Sequence, residues 1–131
     1  MIFLWIALGG ACGAVARYGL SEAVTAAAGD RLPWGTLAAN LLGCFALGFL
    51  VEMARRSGLD ALVVQGVGVG FLGSFTTFST FALESWSHLD RGQWTHLAAN
   101  LALNVVLGVA LVVAGIAAAR ALLGGGAASG G

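Results

Sequence analysis

Residues 61–83 read ALVVQGVGVGFLGSFTTFSTFAL, a run without a charged side chain. An α-helix needs about 20 apolar residues to cross the hydrocarbon core of a bilayer. Four glycines, at positions 66, 68, 70 and 73, each weaken a helix by about 1 kcal/mol relative to alanine. Five of the next seven residues, 74–80, carry hydroxyl groups. The stretch therefore predicts a membrane-spanning helix that is interrupted near its middle.

The interruption at residues 74–80 predicts an ion-handling element. A backbone carbonyl that loses its helical partner in hydrocarbon costs several kcal/mol, so a break persists only where protein, water or an ion satisfies it. Carbonyl oxygens around a helix break suit a hard monovalent cation such as Na⁺. Any single hydroxyl can instead bond to the carbonyl four residues earlier. Five hydroxyls beside a glycine run favour the ion-handling interpretation.

Composition indicates that the rest of the chain also lies in lipid. Of its 131 residues, 59% are hydrophobic and 9% are charged, whereas soluble domains carry about 25% charged residues. Residues 32–51 and 92–119 lack Asp, Glu and Arg. The N-terminal run is shorter and reaches spanning length only if Arg17 snorkels or faces protein. It could also be a signal peptide, but it has no basic segment at its start.

These runs predict an all-α membrane protein with four transmembrane helices and a broken third helix. The predicted four-helix transmembrane domain is residues 1–123, followed by a disordered Gly/Ala/Ser tail at 124–131. The four helices are predicted at about 2–27, 34–54, 61–86 and 94–121, with short turns between them.

Arginine counts do not choose an orientation in the membrane. One side carries Arg55, Arg56 and Arg120, and the other carries Arg31 and Arg91, with Arg17 added if it lies near that end. The positive-inside rule needs an excess on one side. Either an unseen signal selects one orientation, or the protein inserts both ways and forms an antiparallel dual-topology homodimer, which we favour. The small-residue pairs Gly9/Gly13 and Gly66/Gly70 allow close helix packing.

Polar residues within the spans are the remaining candidates for a pathway. Thr36 and Asn40 lie one turn apart on the second helix. On the fourth helix a stripe repeats every four residues; it consists of His96, Asn100, Asn104 and Gly108. An intramembrane amide either bridges helices or lines a wet path. Phe78, Phe81 and Glu84 share one helix face. Arg17 is predicted at the bilayer edge or capping a terminus of the third helix, and Glu84 either beside an Arg or at a pore mouth.

Several kinds of site are not indicated. Cys12 and Cys44 lie among small apolar residues and are interpreted as packing residues. No CxxC, HExxH or nucleotide-binding loop occurs, and no basic stripe for nucleic acid. No paired acid and base or nucleophile suggests an enzyme.

Three segments together resemble the Fluc/CrcB fluoride channel family. They are GGACGAVARY at 9–18, GTLAANLLG at 35–43 and GFLGSFTTFSTF at 70–81. The last resembles the family's GxxGGxTTFSTF, and the resemblance covers all four helices in order.

The resemblance implies a homodimer with two fluoride pores that exports fluoride through a bacterial inner membrane. It implies a structural Na⁺ on the dimer axis, held by the backbone carbonyls of Gly73 and Thr76 from both chains. Fluoride would pass a set of residues consisting of Asn40, Phe78, Phe81, Ser79, Thr80, Thr36 and Asn104. Arg17 matches a family position with a structural or vestibule role.

Two departures from the family pattern and two alternative functions stand beside the resemblance. Ser74 replaces a glycine that the family usually has, and Asn104 stands where a small hydroxyl residue is common. A proton-coupled drug exporter of similar size would need a carboxylate within the membrane. Only Glu84 is placed for that role. A non-transporting assembly factor would leave the break in the third helix unexplained.

Overall fold

A computed structural model of the protein describes residues 1–124, and four long helices make up most of that part. Each is long and apolar enough to cross a membrane; their bounds are Ile2–Ala28, Trp34–Ser57, Ala61–Asp90 and Trp94–Gly124. The prediction of four spans is confirmed, and the helices extend one to four residues beyond the predicted ends. The protein is a multi-pass membrane protein. Of the predicted tail, Gly124 belongs to the last helix, and 125–131 lie outside the described residues.

The third span is irregular where its glycines and hydroxyls lie. After one α-helical turn, Gln65–Leu72 is π-helical, and Gly73–Phe75 returns to α-helix. Thr76 (φ −88°, ψ 156°) and Thr77 (φ −148°, ψ 111°) then have extended backbone, and helix resumes over Phe78–Asp90. Two extended residues inside a helix leave neighbouring peptide groups without their helical partners.

Glycines bring the first and third spans into backbone contact. A Cβ at Gly13 would clash with the backbone of Phe71, and one at Gly70 would clash with the backbone of Ile6. Gly9 faces the Gly66 carbonyl in the same way. The small-residue spacing therefore allows close packing, as predicted, and it acts between two spans of one chain.

The second and fourth spans pack against each other by the same means. Gly48 faces the backbone of Val112, and Gly115 faces that of Phe45. No side chain separates the two helices at either point. This contact fixes the height of the fourth span against the second, and thus which of their polar side chains meet.

An ion-pair cluster ties the ends of these two spans together. Glu52 is only 3% exposed, and its carboxylate accepts from Arg56 Nε at 2.6 Å and from Arg120 Nε at 2.9 Å. Arg55 lies 3.4 Å from the second oxygen. All three arginines counted on that side of the membrane thus share one carboxylate. This cluster was not predicted from the sequence.

Candidate functional site

The side chain of Asn40 holds the extended backbone of the third span. Its Oδ1 accepts from the Thr77 amide at 2.8 Å, and its Nδ2 lies 3.3 Å from the Thr77 carbonyl oxygen, to which it donates. Asn40 lies on the second span, one turn after Thr36. One amide thus replaces both backbone partners that Thr77 would have in a continuous helix.

From Asn40 a chain of hydrogen bonds runs along the fourth span. Asn40 Nδ2 also donates to Asn104 Oδ1 at 2.9 Å, and Asn104 Nδ2 donates to both oxygens of Asn100 at 3.0 Å. The Asn100 amide donates to Ser85 Oγ at 3.0 Å. Ser85 ends the chain by donating to the carbonyl of Phe81 at 2.8 Å. We call the four side chains Asn40, Asn104, Asn100 and Ser85 the amide chain.

Thr77 also begins the helix that follows the break. Its Oγ1 accepts from the amide of Thr80 at 3.2 Å, which is the hydrogen bond of a helix N-cap. The same oxygen lies 2.9 Å from Thr80 Oγ1 and 3.4 Å from Ser79 Oγ. Hydroxyl groups therefore cluster directly beside the residue that Asn40 holds.

Two carbonyls at the break lose their helical donors. In a continuous helix Gly73 O accepts from the Thr77 amide, and Thr76 O accepts from the Thr80 amide. Here the Thr77 amide donates to Asn40, and the Thr80 amide donates to the Thr77 hydroxyl. These are the two carbonyls that the resemblance implies for Na⁺. Carbonyl oxygens are ligands suited to a hard cation, so the residues present fit such an ion.

Arg17 lies against the same turn. Its Nε donates to the carbonyl of Ser74 at 3.2 Å. Of the two alternatives for Arg17, the geometry agrees with capping a helix terminus in the third span. Ser74, which stands where the resemblance leads us to expect a glycine, accepts this hydrogen bond through its backbone carbonyl.

A cavity of about 310 Å³ adjoins the break. Predicted site residues that line it are Asn40, Gly73, Thr76, Phe78, Phe81 and Asn104. The rings of Phe78 and Phe81 have centroids 5.7 Å apart and are tilted by 55°. Phe81 is 7% exposed, whereas Phe78 is 79% exposed. One ring is part of the packed chain and the other projects from it.

Glu84 pairs with a hydroxyl and not with an arginine. Thr36 Oγ1 donates to Glu84 Oε1 at 2.5 Å. The second oxygen, Oε2, is buried and has no hydrogen-bond partner within residues 1–124. The pair joins the second and third spans one turn from the amide chain. Thr36 is thus placed next to the carboxylate and outside the cavity.

Part of this site was not predicted from the sequence. Asn100 was assigned no role beyond its place in the four-residue stripe, although it is the most completely buried large polar residue described, at 2% exposure. Ser85 was not singled out. Its position four residues after Phe81 is the signal that would have found it, because a serine there can reach the carbonyl one turn back. Cys44 lines the cavity.

The sequence profile of one protein family covers most of the chain. The family described as "CrcB-like protein, Camphor Resistance (CrcB)" matches residues 4–116. The chain belongs to the CrcB family. The resemblance stated from the sequence is confirmed.

Curated relatives match more than nine-tenths of this chain. A protein from Salinibacter ruber is 46% identical over 93% of this chain and 92% of its own length. One from Magnetococcus marinus is 45% identical over 92% and 98%. One from Geobacter sulfurreducens is 45% identical over 91% and 97%. Each is named "Fluoride-specific ion channel FluC". These relatives are thus named as ion channels and not as enzymes.

Proposed function

We propose that the chain forms a passive, fluoride-selective ion channel that exports cytoplasmic fluoride down its electrochemical gradient. Its relatives over more than nine-tenths of the chain carry that channel's name. The observation in this chain that carries the proposal is the amide of Asn40, which reaches the break in the third span and opens onto the amide chain.

The amide chain has the chemistry that a fluoride path needs. Fluoride is small and strongly hydrated, so a pore must replace its water with hydrogen-bond donors. In this proposal the Nδ2 hydrogens of Asn40 and Asn104, which donate to protein oxygens in the single chain, turn to fluoride as it passes. They carry no fixed positive charge, so the ion can leave as well as enter. In this proposal the hydroxyls of Ser79, Thr80 and Thr36 extend the path.

Phe78 and Phe81 offer the ion a second kind of contact. The edge of an aromatic ring carries partial positive charge. Both rings line the cavity that Asn40 and Asn104 also line. The rings lie 5.7 Å apart, centroid to centroid, and so contact each other; in this proposal an ion in the cavity meets the hydrogens on their free edges. In this proposal the exposed ring, Phe78, contacts a second subunit.

The working unit in this proposal is an antiparallel homodimer with two pores. A single chain leaves Phe78 79% exposed, and in this proposal a second chain covers that ring. The carbonyls of Gly73 and Thr76 lack the amide donors of a continuous helix, and two copies would supply four oxygens. A structural Na⁺ on the dimer axis would take these oxygens and neutralise their partial charge.

In the same proposal the chain inserts into a bacterial inner membrane in both orientations. Arg17 contacts Ser74 within the bundle, so the count of terminal arginines is three against two. That excess is too small to orient the chain. A dimer that is symmetric across the membrane has one pore in each direction, and lipid surrounds its apolar exterior.

Fluoride resistance tests the export function in cells. A bacterial strain that lacks its own fluoride exporter accumulates fluoride, which enters as the uncharged acid. Expression of this chain should restore growth in fluoride-containing medium and lower the cell's fluoride content. Sensitivity unchanged from the empty-vector strain, with the protein present in the membrane fraction, would contradict the proposal.

A further inference from the structure

Three arginines surround one buried carboxylate where the second and fourth spans end. Glu52 is 3% exposed, and the Nε atoms of Arg56 and Arg120 donate to its Oε1 at 2.6 and 2.9 Å. Arg55 lies 3.4 Å from Oε2. Three positive charges meet one negative charge, so the cluster keeps an excess of two positive charges. A second anion is needed to neutralise that excess.

The carboxylate occupies only part of each guanidinium group. The hydrogen bonds that Arg56 and Arg120 make within residues 1–124 go to Glu52 through Nε, and their terminal nitrogens remain for another acceptor. The side chains of Arg56, Arg120 and Arg55 are 46%, 55% and 71% exposed. Two guanidinium groups that share one acceptor atom are held close together, and arginine binds phosphate through paired N–H groups. The cluster therefore suits a phosphate group.

The position of the cluster along the spans favours a phospholipid as the source of that phosphate. Arg55 and Arg56 lie in the last turn of the second span, and Arg120 lies near the end of the fourth. The second and fourth spans run in the same direction, so both ends reach the same surface of the bilayer. Lipid headgroups lie at that depth, outside the hydrocarbon core.

Exposed apolar side chains continue from the arginines toward the centre of the membrane. Val51 precedes Arg55 by one turn, and Val113 precedes Arg120 by two turns, so each valine shares a helix face with its arginine. The two valines are 45% and 61% exposed. An acyl chain can lie on these valines while its headgroup contacts the arginines.

The charge of the cluster selects among phospholipids. A zwitterionic headgroup carries a cation beside its phosphate, and the excess positive charge repels that cation, whereas an anionic headgroup is only attracted. Asp60, the other acid at this end among the described residues, begins the third span, where its Oδ1 accepts from the Leu62 amide at 2.7 Å.

We infer that Arg55, Arg56 and Arg120 bind the phosphodiester headgroup of an anionic phospholipid, and that Glu52 holds their guanidinium groups in place for it. The site uses none of the residues at the break in the third span. Its test is therefore independent of the ion that the protein conducts.

Native mass spectrometry tests the site by counting lipids bound to purified protein in a neutral detergent. Wild type should bind one phosphatidylglycerol per chain, at least about fivefold more tightly than phosphatidylcholine with the same acyl chains. Arg56→Gln and Arg120→Gln should each weaken phosphatidylglycerol binding about fivefold, the factor expected for one arginine beside an anionic lipid. Arg31→Gln makes the same change at an exposed arginine on the opposite surface and should bind as wild type does. Equal binding of the two lipids by wild type, or an equal loss in Arg31→Gln, would overturn the inference.

Arg55→Gln keeps the test decisive if a variant of the shorter ion pairs does not fold. Arg55 is the most exposed of the three and makes the longest contact with Glu52, so its loss leaves both short ion pairs intact. Arg55→Gln should also weaken phosphatidylglycerol binding, and binding equal to that of wild type would contradict the site.

Inorganic phosphate distinguishes a lipid from a free phosphate ion as the ligand. Sodium phosphate should displace phosphatidylglycerol from wild type no more than sodium chloride of the same ionic strength does, because free phosphate makes no contact with the valines. Displacement by phosphate alone would assign the cluster to the free ion and overturn the lipid assignment.

Discussion

At Asn40, one side chain serves both the backbone of the third span and the amide chain of the fourth. Its two polar atoms make three hydrogen bonds, to Thr77 and Asn104. An aspartate in this place keeps the acceptor for the Thr77 amide, loses both donated bonds and adds a negative charge. The aspartate variant therefore separates two roles of Asn40, which are holding the extended backbone at the break and donating to an anion.

We therefore expect Asn40→Asp to lose most fluoride flux. The added charge repels the anion, and the Asn104 oxygen loses its donor, which costs about 1–3 kcal/mol for a buried group. The measurement is fluoride efflux from liposomes with equal amounts of protein. Cys44→Ala is the matched control, since Cys44 lines the same cavity one turn away and makes no hydrogen bond that the path needs. Normal flux through Asn40→Asp would place the path elsewhere.

The two phenylalanines give a second prediction at single residues. Phe78→Ile and Phe81→Ile should both reduce fluoride flux, because an aliphatic side chain has no positive ring edge. Phe78→Ile is the cleaner test, since a residue that is 79% exposed contributes little to the packing of one chain. Phe3→Ile, at a position 82% exposed, controls for loss of a surface ring and should conduct normally. Unchanged flux in both Phe78→Ile and Phe81→Ile would exclude the rings from the path.

Among the elements, the first and third spans depend on glycines that allow backbone contact. Gly13→Ala and Gly19→Ala make the same chemical change in the same helix. A Cβ at Gly13 clashes with the backbone of Phe71, whereas one at Gly19 meets no atom within 4 Å.

Gly13→Ala should therefore lower the thermal unfolding temperature, because an overpacked contact reduces the free energy of unfolding by about 1–3 kcal/mol. Gly19→Ala should leave that temperature unchanged or raise it, because alanine favours helix over glycine by up to about 1 kcal/mol. Unfolding in detergent, followed by loss of helical circular dichroism, gives both values. Equal stability of the two variants would show that the contact with Phe71 is absent in the folded protein.

The spans could be predicted from the sequence, but their partners could not. Charge-free runs of spanning length report directly on the lipid environment, and glycines beside hydroxyls mark where Thr76 and Thr77 become extended. The pairing of Asn40 with Thr77 joins residues 37 positions apart. It depends on how the second span is placed against the third. No local pattern encodes that placement.

The ion pair of Glu52 with Arg120 escaped prediction for the same reason, at a separation of 68 positions. Two alternatives were predicted for Glu84, a pairing with an arginine or a position at a pore mouth. In the structure its carboxylate accepts a hydrogen bond from Thr36. Asn104 departs from the family pattern, yet it lies in the middle of the amide chain. Residue type located the polar groups, while helix packing decided which of them meet.

For the whole molecule, the proposed sodium site predicts that dimer stability depends on the cation. Carbonyls of Gly73 and Thr76 from two chains would repel one another without a cation between them. Purification with N-methylglucamine in place of Na⁺ should shift the protein toward monomer and lower its flux, both of which should recover when Na⁺ returns. Size-exclusion chromatography with light scattering measures the mass. A dimer and a flux that ignore the cation would remove sodium from this site.

Passive and selective conduction of fluoride is tested most directly by measuring anion efflux from liposomes. Liposomes containing purified protein are loaded with equal potassium fluoride and potassium chloride, and two electrodes record both anions after valinomycin is added without a pH gradient. Fluoride should leave rapidly while chloride stays inside. Chloride efflux at a rate equal to that of fluoride, or fluoride efflux that occurs only with an imposed pH gradient, would contradict the account.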